Sequence, residues 1–140
     1  MNAKVTPTPA RPLPSLQGYS GEFYGWCGKQ ELRFQRCGAC ETFRHPPRPL
    51  CPNCQSSNAQ WVPVSGKGKV HTWTTVRQAL HPGLAADVPY AGVIVELDEG
   101  MRIASWVTDI APEKLQAGLR VQVWFDAISD GFALPKFRVL

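Results

Sequence analysis

Two Cys-x-x-Cys pairs, Cys37-Gly38-Ala39-Cys40 and Cys51-Pro52-Asn53-Cys54, stand in this chain with ten residues between them. Nothing else in the sequence restricts the fold as much. Four thiolates at this spacing close around one tetrahedral ion and leave it no open position, so the site they predict is structural. Zinc is the expected ion, and a rubredoxin-like iron site is the alternative that the same four ligands allow. Disulfides fit less well, because the cysteine count is odd and no export signal precedes them. The fifth, Cys27, sits in Phe23-Tyr24-Gly25-Trp26-Cys27 and reads as a small buried hydrophobe.

The flanks of the pairs read as strands. Glu31 to Arg36 alternates Leu32 and Phe34 with Arg33 and Gln35 and leads into the first knuckle, and Trp61 to Val64 leads out of the second. Between the knuckles, His45-Pro46-Pro47-Arg48-Pro49 is expected to be extended, because each proline keeps its predecessor out of the helical region. With four cysteines available, His45 reads as a packing or surface residue and not a ligand. Upstream, Phe23, Trp26 and Cys27 fall on one face of a short helix over Tyr19 to Gly28. Its glycines argue for about two turns. Such a helix is marginal alone, so Phe23 and Trp26 must pack on this domain or on a partner.

From Gly66 onward strand follows strand. Lys69 to Val76, Ala91 to Leu97 and Met101 to Val107 alternate, with Asp98-Glu99-Gly100 as a turn. A short helix over Pro112 to Leu115, capped from Asp109 and ended by Gly118, precedes two last strands, Val121 to Phe125 and Phe132 to Val139. Three strands, a helix and two strands is the order of an OB barrel. The 13 prolines and 12 glycines suit this mainly β class, with many turns and short strands. The expected organisation is a disordered Pro-rich tail over residues 1–18, a helix and zinc ribbon over 19–66, and a five-stranded OB-fold barrel over 67–140. No export signal and no run near the ~20 apolar residues of a membrane span is present. The expected location is the cytoplasm.

No self-contained active site emerges. His45, His71 and His81 are scattered over ribbon, strand and loop, and no Ser, Cys or paired carboxylate has the spacing to use them. His71 reads as a packing residue. His81 is the better functional candidate, since the loop from Gln78 to Pro89 lies at the barrel mouth. A zinc ribbon on an OB barrel also suggests a module for single-stranded nucleic acid, with Trp73, Trp106 and Trp124 as stacking platforms. Charge weighs against it. Residues 67–140 carry eight basic and eight acidic side chains, and the excess of +4 lies wholly in the front half. Four thiolates on a divalent ion would cut that excess further.

The ordered motifs Arg36-Cys37-x-x-Cys40, His45-Pro46-Pro47-Arg48, Cys51-Pro52-x-Cys54, Val64-Ser65-Gly66-Lys67-Gly68-Lys69, Val95-Glu96-Leu97-Asp98-Glu99-Gly100 and Leu134-Pro135-Lys136-Phe137 resemble the acyl-CoA-associated OB-fold family with a rubredoxin-like zinc ribbon. The resemblance runs from about residue 19 to the C-terminus. It implies a non-catalytic accessory subunit that binds a thiolase-fold enzyme acting on acyl-CoA thioesters, first of all a retro-aldolase of steroid side-chain CoA esters, otherwise a thiolase or acyltransferase. The assembly implied is a hetero-oligomer of two plus two chains, with a CoA thioester at the interface. Under that reading Phe23, Trp26, Arg44 and Arg48 are partner-facing, the arginines meeting carboxylates or a CoA phosphate, and His81 belongs to the channel loop. The chain departs from the family pattern in carrying Glu41 and Gln55 where glycine commonly follows each knuckle.

Overall fold

The computed structural model describes residues 10–140. The first half of the expected tail lies outside the described residues. Residues 10–13 of the expected tail lie beside the barrel. Arg11 Nη2 is 2.6 Å from Asp87 Oδ1, and a Cβ on Gly83 would come within 2.5 Å of the Ala10 carbonyl oxygen. An ion pair and close backbone contact thus hold a segment that composition alone marks as free.

Helix α1 (Gly18–Gly28) has 11 residues, one more than the expected Tyr19 to Gly28. Its glycines cost helix propensity but serve packing. A Cβ on Gly28 would sit 2.1 Å from the Gly131 carbonyl oxygen, and Gly25 faces the Phe132 ring. The small residues let the helix lie almost on the last hairpin. It ends where Gln30 turns left-handed at φ 65°, with Gln30 N–H on the Cys27 carbonyl and Glu31 N–H on that of Trp26.

The ribbon is a three-stranded antiparallel sheet of order β2-β1-β3, made of β1 (Arg33–Cys37), β2 (Phe43–Arg44) and β3 (Ala59–Pro63). The barrel follows with β4 (Lys67–Val76), β5 (Tyr90–Leu97), β6 (Arg102–Trp106), β7 (Arg120–Ser129) and β8 (Phe132–Val139), in the order β6-β5-β4-β7-β8. A parallel bridge between Val107 and Phe137 joins the two ends of that sheet, which is the closure of an OB barrel. Strand β5 alternates cleanly, burying Ala91, Val93, Val95 and Leu97. The mainly β class, the five-stranded barrel, the N-terminal helix and the ribbon are as expected.

Two local readings change. The helix expected after Asp109 is a single 3-10 turn over Pro112–Lys114 with Ala111 at its N-cap. Asp109 Oδ1 instead accepts from the Val139 amide at 2.9 Å and pins the last strand. His71 is exposed and does not pack, because the β4–β5 register slips between Val70 and Thr72 and leaves it as the bulged residue. One buried cluster runs through the whole molecule: Phe23 and Cys27 from α1, Leu32 and Phe34 from the ribbon, and Val93, Val121 and Phe137 from the barrel. Among the described residues no helix is long and apolar enough to cross a membrane.

Candidate metal centre and docking surface

Each knuckle begins as a β1 or loop cysteine and reverses within four residues. The Glu41 amide donates to the Cys37 carbonyl at 3.1 Å and the Gln55 amide to the Cys51 carbonyl at 3.0 Å. Glu41 and Gln55 take φ values of 65° and 63°. The left-handed turn that glycine makes easily is therefore kept by two larger residues, at a cost of about 1–2 kcal/mol each.

The turns bring Cys37, Cys40, Cys51 and Cys54 together, with all four sulfurs within 4.8 Å of one another. Cys37 and Cys54 Sγ are 3.6 Å apart, and Cys40 and Cys51 Sγ 3.5 Å. Zinc–sulfur bonds of about 2.3 Å at tetrahedral angles require an edge near ~3.8 Å. The donor set fits Zn²⁺ with little adjustment. Backbone amides point at the sulfurs as well: Ala39 N–H lies 3.4 Å from Cys37 Sγ, and Asn53 N–H 3.4 Å from Cys51 Sγ. Such donors favour thiolates. The Thr42 hydroxyl, first among several donors, draws Cys40 down to about 5, and the Cys40 amide draws Cys37 down to about 7. Cys54 goes the other way, to about 11: the Ser56 amide lowers it, but the neighbouring Cys40 and Cys37 thiols outweigh that donor. Four sulfurs this close cannot all hold negative charge alone, and a divalent ion is the group that lets them.

Arg44 sits behind this centre. It was expected at a partner surface, and the structure corrects that, since the residue is 1% exposed. Its Nη2 donates to the carbonyls of Ser56 and Asn58 at 2.8 and 2.9 Å, and its Nη1 to those of Pro49 and Arg48 at 3.2 and 3.5 Å. The guanidinium ties β2 to the inter-knuckle segment and to the chain leaving the second knuckle. No carboxylate bonds to it among the described residues. Negative charge nearby must come from the sulfurs, and Arg44 is one of the donors that lower Cys37.

Phe23 also turns inward. It is 5% exposed and packs on Phe34, His45 and Trp61 of the ribbon, with ring centroids 5.9, 5.2 and 6.5 Å away. Burial in this way removes it from the partner-facing set. Trp26 stays half-buried at the surface, with Lys29 Nζ 4.6 Å and the Arg33 guanidinium 4.1 Å from its ring centroid. Arg48 is exposed, and its backbone amide donates to Gln35 Oε1. His81 caps a 3-10 turn over Pro82–Leu84, its Nδ1 accepting from the Gly83 amide at 2.9 Å. Leu80 beside it is 85% exposed. Cys27 is fully buried, and burial pushes its thiol up to about 12.

His45 is a packing residue, as expected from the four available cysteines. Its ring meets Phe34 edge-on at 4.6 Å, and burial, helped by the charge of Arg48, pulls the imidazole down to about 4. The unfolded chain takes up this proton near ~6.5. The folded state binds fewer protons in between, so His45 leaves stability intact above the unfolded value and subtracts from it as pH falls toward 4. The expected loss is about 2 kcal/mol on going from about pH 7.5 to about pH 5. Urea unfolding of the chain and of His45→Phe at both pH values checks this. The variant should lose that part of the slope and keep whatever part the zinc ligands contribute.

A small sheet clipped by two cysteine knuckles and packed on a closed five-stranded barrel defines a rubredoxin-like zinc ribbon joined to an OB fold. Two family models match in that order, the ChsH2 rubredoxin-like zinc ribbon domain over residues 27–59 and the ChsH2 C-terminal OB-fold domain over residues 61–126. The chain belongs to this ChsH2 (DUF35) family. It is 35% identical over 133 residues to a probable enoyl-CoA hydratase alpha subunit of Thermomonospora curvata, a match that takes 94% of this chain and 41% of that protein. It is 35% identical over 96 residues to a DUF35 domain-containing scaffold protein of Methanocaldococcus jannaschii, covering 68% of this chain and 67% of the relative. The chain thus spans well under half of the hydratase subunit. Among solved structures, one described as an Ltp2-ChsH2(DUF35) aldolase superposes with a TM-score of 0.80 at 33% identity, over 91% of this chain and 98% of that chain. A DUF35-family protein of Sulfolobus solfataricus shares the fold at a TM-score of 0.59 and 12% identity.

Proposed function

We propose that the chain is a non-catalytic accessory subunit that binds a thiolase-fold enzyme acting on acyl-CoA thioesters, foremost a retro-aldolase of steroid side-chain CoA esters. The likeness over 98% of a chain described as part of an Ltp2-ChsH2(DUF35) aldolase carries this reading. The chemistry of the chain is consistent with it. Among the described residues, the cysteines and histidine with the largest pKa displacements are the ribbon thiols, Cys27 and His45, and each is committed to the metal cluster or to packing. A catalytic acid or base has no candidate among them.

In this proposal the subunit supports its partner's folding and shapes the CoA-substrate channel, in a cytoplasmic hetero-oligomer of two plus two chains. Trp26 with its two flanking cations, and Arg48 on the inter-knuckle segment, are the surface groups offered to the partner or to a CoA phosphate. His81 and the loop around it border the channel.

The test is a pull-down from the native host at moderate salt, with bound proteins identified by mass spectrometry. Recovery of a thiolase-fold protein is the expected result. A hydratase-type partner alone would move the chain to the other activity named among its relatives. Nucleic acid with no enzyme would overturn the accessory reading and return the barrel tryptophans to a stacking role.

A further inference from the structure

The barrel wall is incomplete where β6 meets β8. The two strands share the Val107–Phe137 bridge, and beside it a hydrogen bond of 2.7 Å from Ser105 Oγ to the Pro135 carbonyl. Pro135 has no N–H to extend the pairing. The gap opens into a cavity of about 360 Å³, walled by Tyr24 of α1, Pro46 of the ribbon, Ile103 and Trp106 of β6, and Leu134 and Lys136 of β8. A second hollow of about 190 Å³ adjoins it, since Trp106, Leu134 and Lys136 border both. Its far wall is Pro12 and Leu13, the segment that Arg11 anchors to Asp87. A cleft of this size, mostly apolar with a few convergent polar groups, has the form of a small-molecule site.

The polar groups narrow the ligand. Lys136 is 8% exposed, with Nζ 2.5 Å from Asp126 Oδ2 and 5.0 and 5.8 Å from the ring centroids of Trp106 and Trp124. The pair is neutral as a unit, so the cleft does not call for a charged ligand. An ammonium carries three donors and Asp126 uses one. His45 also lines the cleft, and its Nδ1 is too buried to meet a ligand there. We propose that this cleft binds an uncharged, largely apolar ring- or chain-shaped ligand bearing a carbonyl or hydroxyl oxygen. The oxygen meets Lys136, and the apolar body lies along Trp106 and Leu134. No partner enzyme is needed, so the outcome stands apart from that of the pull-down.

The test is a titration of the zinc-loaded full-length chain with 2-tetralone, followed through the indole N–H signals of its five tryptophans. Tetralin, the same bicycle without the oxygen, is the comparison. Shifts at Trp106 and Trp124 with Trp26 unmoved are expected, and binding about tenfold weaker for tetralin, the worth of one hydrogen bond to a charged donor. Leu134→Trp fills the space between the two hollows and should abolish the Trp106 shift. Ala104→Phe narrows the cleft from its rim and serves the same purpose if the first variant fails to fold, as judged by zinc content and the amide spectrum. Equal affinity for tetralin and 2-tetralone, or Trp106 shifts that survive in a folded blocking variant, would overturn the proposal.

Discussion

Replacing Cys37 with serine is expected to unfold the ribbon and leave the barrel standing. The three ribbon strands have five, two and five residues. So small a sheet has too little apolar surface to offset the entropy of ordering the ten residues between the knuckles. Zinc supplies that difference, because structural Zn²⁺ contributes on the order of 10–16 kcal/mol to the fold that binds it. The barrel has its own buried set in Val70, Val93, Val95, Val107, Val121 and Phe137, and the cluster of metal-binding side chains found among the described residues lies outside it. Amide exchange separates the two parts: protection over residues 33–63 should vanish in Cys37→Ser, and in the parent chain after chelation, while β4, β5 and β7 stay protected. Loss of the ribbon also releases Phe23 from Phe34, His45 and Trp61, so α1 should loosen. If the accessory reading holds, partner binding falls with it. A zinc-free chain with a fully protected ribbon would rule out this account of the fold.

The cysteine quartet was legible in the sequence because ligand type and spacing are both local properties of the chain. The barrel strands were legible for a similar reason, as β5 shows: Ala91, Val93, Val95 and Leu97 alternate inward along one continuous stretch. Legibility ended where a residue answers to a distant neighbour. His71 lost its place in the alternation to a bulge set by pairing with β5. The helix glycines register as a cost to propensity, and only contact with Gly131 and Phe132 shows what they permit. Asp109 resembles a cap by position, yet its acceptor serves Val139, thirty residues on. Phe23 and Trp26 share one helix face in the sequence, and the ribbon covers one of them and leaves the other at the surface. The cleft at the β6–β8 seam has no local signal, because helix, ribbon, barrel and N-terminal segment each contribute a wall.

Arg44 is the clearest case, and it carries the second large effect. A charged residue between two prolines and a metal knuckle reads as solvated, because its acceptors are main-chain carbonyls at positions 48, 49, 56 and 58 that no side-chain motif marks. Arg44→Met keeps much of the side chain's length and removes the charge. Four part-buried main-chain carbonyls then lose a donor, and the thiolate cluster loses a buried cation. We expect a loss of about 3–5 kcal/mol in stability, the cost of breaking a buried charged network from one side. Zinc affinity should fall about 10–100-fold, as it does when groups behind metal ligands are removed. Competition with a chromogenic chelator measures the second quantity and denaturant unfolding the first. Arg44→Lys sharpens the test: a lysine restores the charge but not the planar fork that reaches carbonyls on both sides. Zinc affinity should recover more than stability does. Parent-like values for Arg44→Met in both measurements would return Arg44 to the surface role that its sequence suggests.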